Sequence, residues 1–173
     1  MLRIEHVTKT YGGARKGLSG LFGTPAAEVR ALRDVSLSVR RGESFGLVGE
    51  SGSGKTTLTR CILRLEEVST GRILFDGTDL ATLKPAELRR LRARVQIVFQ
   101  DPYASLNPRM SVRDILCEPM EIHRDRMGLD ARGRLDRAAE LLQRVGLGTQ
   151  HLSRFPHEFS GGQRQRIGIA RAL

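Results

Sequence analysis

The sequence is poor in aromatic residues and cysteine, and it has no long apolar run. Aromatic side chains make up 5% of its 173 residues. No segment approaches the roughly eighteen apolar residues that a transmembrane helix needs, and residues 1–5 lack the features of a signal peptide. The two cysteines, Cys61 and Cys117, are far apart and lack the spacing of metal ligands. We therefore expect both to be small buried side chains in a reducing cytoplasm.

Acidic residues are also scarce relative to basic ones, 19 against 29, which gives a net charge of +10. A basic surface attracts nucleic acid or anionic lipid. Here the basic side chains are spread along the chain and lack the interleaved aromatic residues of a single-strand binding platform. We expect no nucleic-acid partner. Three explanations of the charge stay open: solvated helix faces, an acidic part of the protein that this sequence does not include, or a site near a membrane surface.

Residues Gly49–Thr57 carry the most specific motif, GESGSGKTT, which fits G-x-x-x-x-G-K-[ST]. The motif follows the short apolar run Phe45–Val48 and precedes the helix-compatible stretch Leu58–Leu65. A strand, a glycine-rich loop and a helix in this order form the context in which the motif binds phosphate groups. The segment therefore predicts binding of a nucleoside triphosphate.

The residue types of this loop suit that ligand. Gly49, Gly52 and Gly54 permit backbone conformations that let the chain approach phosphates closely. Lys55 supplies a positive charge for the β- and γ-phosphates, and the Thr56 hydroxyl can bind Mg²⁺. The predicted cradle consists of Gly49, Glu50, Ser51, Gly52, Ser53, Gly54, Lys55, Thr56 and Thr57.

The segments around the loop predict an α/β fold. Strands are expected at Leu2–Val7, Asp34–Arg40, Arg72–Phe75 and Val95–Phe99, with Val35, Leu37 and Val39 on one face of the second. Turns are expected at Thr70–Gly71 and Asp76–Gly77, and a surface loop between Gly12 and Glu28. Pro85 fits the first turn of a helix that runs to about Arg92.

The character of the sequence changes after Gln100. Residues 101–110 hold two prolines and predict an irregular segment. Beyond it, apolar residues recur at helical spacing and predict an all-helical part of the chain. The predicted core faces are Val112, Ile115, Leu116 and Met120 in one helix and Leu135, Ala138, Ala139, Leu142 and Val145 in another.

Residues Phe159–Arg166, FSGGQRQR, predict a second place that favours negative charge. Ser160 is a suitable N-cap for the helix that follows. Gly161 and Gly162 leave the first N–H groups of that helix unshielded by side chains. A capped helix alone would explain the segment, but a phosphate loop upstream makes a second anion site the stronger interpretation.

Together these motifs resemble the ATP-binding subunit of ABC transporters. By this resemblance Tyr11 stacks on adenine, and Gln100 contacts Mg²⁺ and the attacking water. The resemblance also implies that Lys55 and Gln100 serve the hydrolysis of ATP. Ser160, Gly161, Gly162 and Gln163 match the signature that closes on the γ-phosphate held by a second ATP-binding subunit. Each chain then supplies half of two sites, which requires a two-fold or pseudo-two-fold pair.

Val98–Met110, VFQDPYASLNPRM, resembles the dipeptide/oligopeptide importer branch, most of all the second ATPase of such systems. The implied fold is a P-loop NTPase core of the ABC type, with an N-terminal antiparallel β portion and an α-helical subdomain. The expected division is 1–100 for the nucleotide-binding core, 101–159 for the helical subdomain and 160–173 for the signature and its helix. Phe159 replaces a commoner leucine and Thr56 a commoner serine, without changing the chemistry.

The resemblance also defines what the sequence does not contain. In the family, an apolar strand with a metal-binding Asp and a catalytic Glu follows the signature helix, and a His that senses the γ-phosphate comes later. The C-terminal part of the core is therefore expected to be missing from a chain that ends at Leu173, which alone would be poorly stable and nearly inactive. The upstream carboxylates Glu66, Glu67, Asp76 and Asp79 do not follow an apolar strand and are not substitutes.

The implied partners are transmembrane permease subunits, a second ATP-binding subunit and, indirectly, an external solute-binding protein. The implied location is the cytoplasmic face of the plasma membrane, as a peripheral subunit. Di- and oligopeptides are the default solutes, with nickel or glutathione as alternatives. Three other interpretations of the function stay open: a nucleic-acid maintenance ATPase, an unrelated phosphate-loop kinase or GTPase, and a nucleotide-binding fragment without turnover. The first usually has a coiled coil or zinc module between the motifs, and none is visible here.

Overall fold

The computed structural model of the chain describes residues 1–12 and 28–173. These residues form two compact units, Met1–Leu88 and Arg89–Leu173. The predicted surface loop between Gly12 and Glu28 lies, apart from its two end residues, outside the described residues. The predicted boundaries at 100 and 159 stay predictions.

The first unit contains a four-stranded antiparallel sheet. Its strands are β1 (Leu2–Tyr11), β2 (Val29–Val39), β3 (Thr70–Phe75) and β4 (Thr78–Asp79). They are arranged in the order β2-β1-β3-β4, so the first strand of the chain lies between the second and the third. This is the N-terminal antiparallel β portion that the sequence predicted, and the half-buried Val35, Leu37 and Val39 alternate with exposed neighbours as expected.

A bulge in β1 explains why two residues three positions apart are both buried. Strict alternation would place Ile4 and Val7 on opposite faces of the sheet. The pairing with β2 shifts between them, and His6 adopts a left-handed conformation with φ of 50°. The extra residue turns both apolar side chains inward, where they are almost fully buried.

The predicted turn at Thr70–Gly71 is wrong, because both residues belong to β3. Gly71 has a φ of +82°, and a Cβ atom there would lie 2.3 Å from the carbonyl oxygen of His6. Glycine is therefore needed where β3 passes the bulge of β1, not for a chain reversal. The turn predicted at Asp76–Gly77 is confirmed, since it joins the paired residues Phe75 and Thr78.

Two helices belong to this part of the chain, and the second runs past Leu88, the last residue of the first unit. Helix α1 spans Lys55–Ile62 and α2 spans Pro85–Arg92, with a 3₁₀ turn at Leu80–Thr82. The prediction for Pro85 is confirmed. Helix α1 begins three residues before the predicted Leu58, because Gly54 at the end of the loop occupies its N-cap position. Leu58 and Cys61 are its buried residues.

The predicted strands Phe45–Val48 and Val95–Phe99 are not strands in this structure. Unbroken apolar runs of this kind are typical of parallel strands that have a partner on either side. Within the part of the chain that the structure describes, neither run pairs with another strand. Most of their apolar side chains are accordingly exposed, up to 94% for Val48, while Val95 and Ile97 are half-buried.

The second unit is helical, as predicted. It contains α3 (Pro102–Ser105), α4 (Val112–Ile122), α5 (Arg124–Met127), α6 (Ala131–Arg144) and α7 (Gly161–Ala172), with 3₁₀ turns at Thr149–His151 and Pro156–Glu158. Short α3 falls inside the segment predicted to be irregular. The Asp101 carboxylate accepts hydrogen bonds from the N–H groups of Tyr103 and Ala104 and so stabilises this single turn.

The core of this unit lies between α4, α6 and α7. The four predicted core residues of α4 are all buried. In α6 the prediction is wrong for Leu135, which is 40% exposed, whereas Leu141 is buried beside Ala138 and Leu142. The cluster comprises Leu106, Val112, Ile115, Leu116, Met120, Ala138, Leu141, Leu142, Leu147, Phe159, Ile167 and Ala170.

Both cysteines are free, as expected from their spacing. Cys61 is buried, and Cys117 is half-buried against the core of the second unit. Burial raises the pKa of each thiol. Among the described residues, no helix is both long and apolar enough to cross a membrane.

Candidate nucleotide-binding site

The glycine-rich loop closes on the side chain of its own lysine. Lys55 Nζ donates hydrogen bonds to the carbonyl oxygens of Gly49 and Glu50, both at 2.6 Å, and to Ser53 Oγ at 3.1 Å. The Ser53 N–H donates to the Glu50 carbonyl at 3.2 Å. The ammonium group therefore lies within the ring formed by the loop, where a phosphate anion would gain most from it.

Gly54 sets the direction in which the loop enters α1. Its φ of +94° places it in the left-handed region, and a Cβ atom there would lie 2.5 Å from the Ala31 carbonyl oxygen in β2. The loop thus lies directly against the sheet at a point where only glycine fits. No side chain caps α1, and its first turn carries no acidic residue, so its positive end is suited to an anion.

Two threonines follow the lysine in the first turn of α1. Thr56 is exposed and Thr57 is half-buried. A hydroxyl is one of the hard oxygen ligands that Mg²⁺ accepts. The described residues hold no group of three or more His, Cys, Asp or Glu side chains that could bind a metal ion by themselves. The role of Thr56 as a ligand of Mg²⁺ stays a prediction.

Tyr11 ends β1 and is fixed at its hydroxyl. The hydroxyl donates a short hydrogen bond to the Glu66 carboxylate, and Lys9 Nζ lies 4.8 Å from the ring centroid. The hydrogen bond to Glu66 is the main reason that the pKa of Tyr11 is raised, while a hydrogen bond with Thr57 lowers it. Tyr11 is therefore tied to Glu66, which follows α1 and pairs with Arg60 of that helix at 3.4 Å.

Gln100 is exposed at a bend directly before α3. Its amide belongs to the second unit, whereas the phosphate loop belongs to the first. An exposed neutral amide can orient water without repelling phosphate groups. Its contact with Mg²⁺ and water stays a prediction.

Ser160 and Gln163 form a capping box at the start of α7. Ser160 Oγ accepts a hydrogen bond from the Gln163 N–H at 3.3 Å, and Gln163 Oε1 accepts one from the Ser160 N–H at 3.0 Å. The N-cap prediction is confirmed. A Cβ atom at Gly162 would meet nothing within 4 Å among the described residues, whereas one at Gly161 would lie 3.9 Å from the Tyr103 ring, so the start of α7 is open on its Gly162 side.

The start of α7 is supported by Phe159 and Arg164 of the predicted segment and by residues outside it. Phe159 is buried, with the His151 ring edge-on and the Arg154 guanidinium 4.7 Å from its centroid. The Arg164 guanidinium lies 4.1 Å from the Tyr103 ring centroid, and its Nε donates to the Pro156 carbonyl. The contacts of Phe159 and the Arg164–Pro156 hydrogen bond join residues at most eight positions apart, whereas the tertiary fold brings Tyr103 to Arg164.

The carboxylates that were excluded as catalytic substitutes have other roles. Asp79 caps the 3₁₀ turn Leu80–Thr82, and Asp76 pairs with the N-terminal ammonium at 2.7 Å. Glu67 pairs with Arg64 at 2.8 Å. Glu66 binds Tyr11, which is the main reason that the pKa of Glu66 is lowered.

The lysine-closed loop at the start of α1 is the feature that points to a phosphate-loop NTPase, and in this chain an antiparallel sheet and a helical unit with a capped α7 accompany it. The chain belongs to the ABC transporter family, which it matches over residues 32–173. This agrees with the resemblance carried by the two motifs.

Two curated relatives illustrate the match. The dipeptide transport ATP-binding protein DppF of Lactococcus lactis is 48% identical over 182 residues, which cover 100% of this chain and 52% of that protein. The oligopeptide transport ATP-binding protein OppF of Bacillus subtilis is 50% identical over 159 residues, which cover 91% of this chain and 52% of that protein. The chain therefore spans about half the length of these relatives.

A solved structure shares the fold. The dimeric ATP-binding cassette MJ0796, in a post-hydrolysis state bound to ADP and Pi, is similar with a TM-score of 0.80 and 31% sequence identity. The alignment covers 100% of this chain and 69% of that one. The fold class predicted from the sequence is confirmed by this similarity.

Proposed function

We propose that this chain is part of the ATP-binding subunit of an ABC importer that takes up di- or oligopeptides or similar solutes. The observation that carries the proposal is the lysine-closed loop Gly49–Thr57 at the uncapped start of α1. The names of the relatives, which transport dipeptides and oligopeptides, supply the solute class. Nickel and glutathione are the alternative solutes to be tested.

The loop residues Gly49 to Thr57 bind the triphosphate through backbone N–H groups, and Lys55 leaves its loop carbonyls to contact the β- and γ-phosphates. Lys55 is well suited to this exchange because carbonyl oxygens are weaker partners for an ammonium than phosphate oxygens are. Tyr11 stacks on the adenine ring. Thr56 and Gln100 would supply protein oxygens to Mg²⁺, which would neutralise phosphate charge.

The signature residues Ser160, Gly161, Gly162 and Gln163 face the γ-phosphate of ATP held by a second ATP-binding subunit. The start of α7 supports this role, because a Cβ atom at Gly162 would meet nothing within 4 Å among the described residues and a helix N-terminus favours negative charge. The dimeric state of the similar cassette supports a pair of subunits. Gln100 orients the attacking water, and ATP hydrolysis is completed by the whole protein.

The pair of subunits couples to transmembrane permease subunits and acts peripherally at the cytoplasmic face of the plasma membrane. An external solute-binding protein delivers the solute to the permease. Residues 1–100, 101–159 and 160–173 serve as nucleotide-binding core, helical subdomain and signature segment. Binding of ATP closes the pair, and closure drives solute uptake.

Two experiments test this function. Calorimetric titration of the protein with ATP and Mg²⁺ should give one nucleotide per chain, and a gene deletion should abolish uptake of labelled dipeptides. Uptake of nickel and glutathione in the same strain separates the solute classes. Normal uptake of all three solutes in the deletion strain would exclude the importer function.

A further inference from the structure

Glu66 is the centre of a small polar cluster beside Tyr11. Its carboxylate accepts a short hydrogen bond from the Tyr11 hydroxyl, and it lies 3.4 Å from Arg60 Nη1 and 3.8 Å from Lys9 Nζ. Lys9 and Glu66 side chains are only 16% and 20% exposed. Two cations therefore hold one carboxylate at the edge of the ring.

Lys9 also determines which face of the Tyr11 ring can be used. Its ammonium lies over one face, 4.8 Å from the ring centroid, and is held there by a 2.8 Å hydrogen bond to the Glu67 carbonyl. A flat ring has two faces, so a nucleobase must stack on the opposite one. Tyr11 is 37% exposed and thus keeps surface for such a contact.

The segment that carries Glu66 is bound to β1 through Ser69. The Ser69 N–H donates to the Thr8 carbonyl at 2.8 Å, and the Thr10 N–H donates to Ser69 Oγ at 3.0 Å. This segment directly follows α1, the helix that starts at the phosphate loop. The cluster consequently fixes the tyrosine relative to the same helix that binds the phosphates.

We infer that Glu66, together with Lys9, is a positioning residue for the nucleobase: it holds the Tyr11 ring at the angle and distance from α1 at which a purine stacks while its triphosphate lies in the loop. The inference rests on the proposed function of the loop. It assigns to Glu66 a role in affinity for the base and none in affinity for the phosphates.

The test compares two ligands, ATP and inorganic tripolyphosphate, by calorimetric titration of the protein as its gene encodes it. Glu66→Gln keeps the size of the side chain but removes its charge, and should weaken ATP binding about tenfold. Tripolyphosphate binding should not change. Glu67→Gln is the matched control, because that neighbouring carboxylate pairs with Arg64 and its side chain is 80% exposed.

A thermodynamic cycle makes the test specific. Tyr11→Phe keeps the ring but loses the hydroxyl, so it should weaken ATP binding as Glu66→Gln does. The double variant should weaken ATP binding by less than the sum of the two single effects, because both changes act on the hydrogen bond between Tyr11 and Glu66. Unchanged ATP affinity in Glu66→Gln, or equal weakening of both ligands, would overturn the inference. A wild-type protein that binds neither ligand would overturn the proposed function and the inference with it.

Discussion

At the scale of single residues, Lys55 holds the loop closed through two carbonyl oxygens and a hydroxyl. Replacing it with alanine removes both this internal tie and the charge offered to the phosphates. We expect Lys55→Ala to weaken ATP binding roughly a hundredfold, since charge-assisted hydrogen bonds are lost. Titration with ATP measures the change. Lys84→Ala, at an exposed lysine outside the loop, removes the same charge and should bind ATP normally.

Gly54 and Gly52 provide a second test at this scale. Both have positive φ, +94° and +82°, but only Gly54 lies against β2. Gly54→Ala would place Cβ 2.5 Å from the Ala31 carbonyl oxygen and should cost about 2 kcal/mol or more of unfolding free energy. Gly52→Ala meets nothing within 4 Å and should cost about 1 kcal/mol. Urea denaturation measures both, and equal losses would contradict the close approach of loop and sheet.

At the scale of elements, α6 separates buried from exposed leucines. Leu141 is 4% exposed within the core of the helical unit, whereas Leu135 is 40% exposed on the same helix. Leu141→Ala should lower the free energy of unfolding by about 2–5 kcal/mol. Leu135→Ala should change it by less than about 0.5 kcal/mol. Chemical denaturation followed by circular dichroism distinguishes them, and a larger loss for Leu135→Ala would show that the predicted core face was right.

The start of α4 should respond to acid. Ser111 Oγ donates to the Asp114 carboxylate at 2.6 Å, and this hydrogen bond, assisted by Arg113, lowers the pKa of Asp114 from its usual 3.8. A lowered folded-state pKa stabilises the protein above the usual value, and this stabilisation disappears as the pH falls through the folded-state pKa.

Asp114→Asn should therefore lower the free energy of unfolding at neutral pH. In strong acid the variant and the wild type should have the same free energy of unfolding. Thermal unfolding measured from neutral pH to strong acid tests this. Asp125→Asn is the control, because that carboxylate is 92% exposed and its substitution makes the same charge change. A stability difference that grew toward low pH would have the wrong sign for this mechanism.

At the scale of the whole molecule, the buried cluster of α4, α6 and α7 lies entirely within Arg89–Leu173. A unit with its own core can fold without the remainder of the chain. We expect residues 89–173, expressed alone, to unfold cooperatively in urea with a helical circular dichroism spectrum. A non-cooperative transition would mean that the unit depends on the first one for its stability.

The local patterns were good predictors where the local sequence decides the structure. The loop glycines, the Ser160 cap, Pro85 in α2 and the apolar stripe of α4 follow from backbone freedom, capping and helical spacing. The turn predicted at Gly71 was wrong, because glycine is needed there where β3 passes the bulge of the neighbouring strand β1. Prediction also failed for Phe45–Val48 and Val95–Phe99, because a strand needs partners as well as apolar residues.

The sequence by itself determined the chemistry of this protein: a phosphate loop, a signature segment, and the ABC transporter family that both motifs indicated. Local hydrogen bonds and glycine conformations suffice for those features. Only the tertiary structure decided that Tyr11, Glu66 and Lys9 form one cluster, that Leu141 and not Leu135 enters the core, and that Gly54 lies against β2. These contacts join residues far apart in sequence or depend on which helix face is covered, and they exist only once the elements pack together.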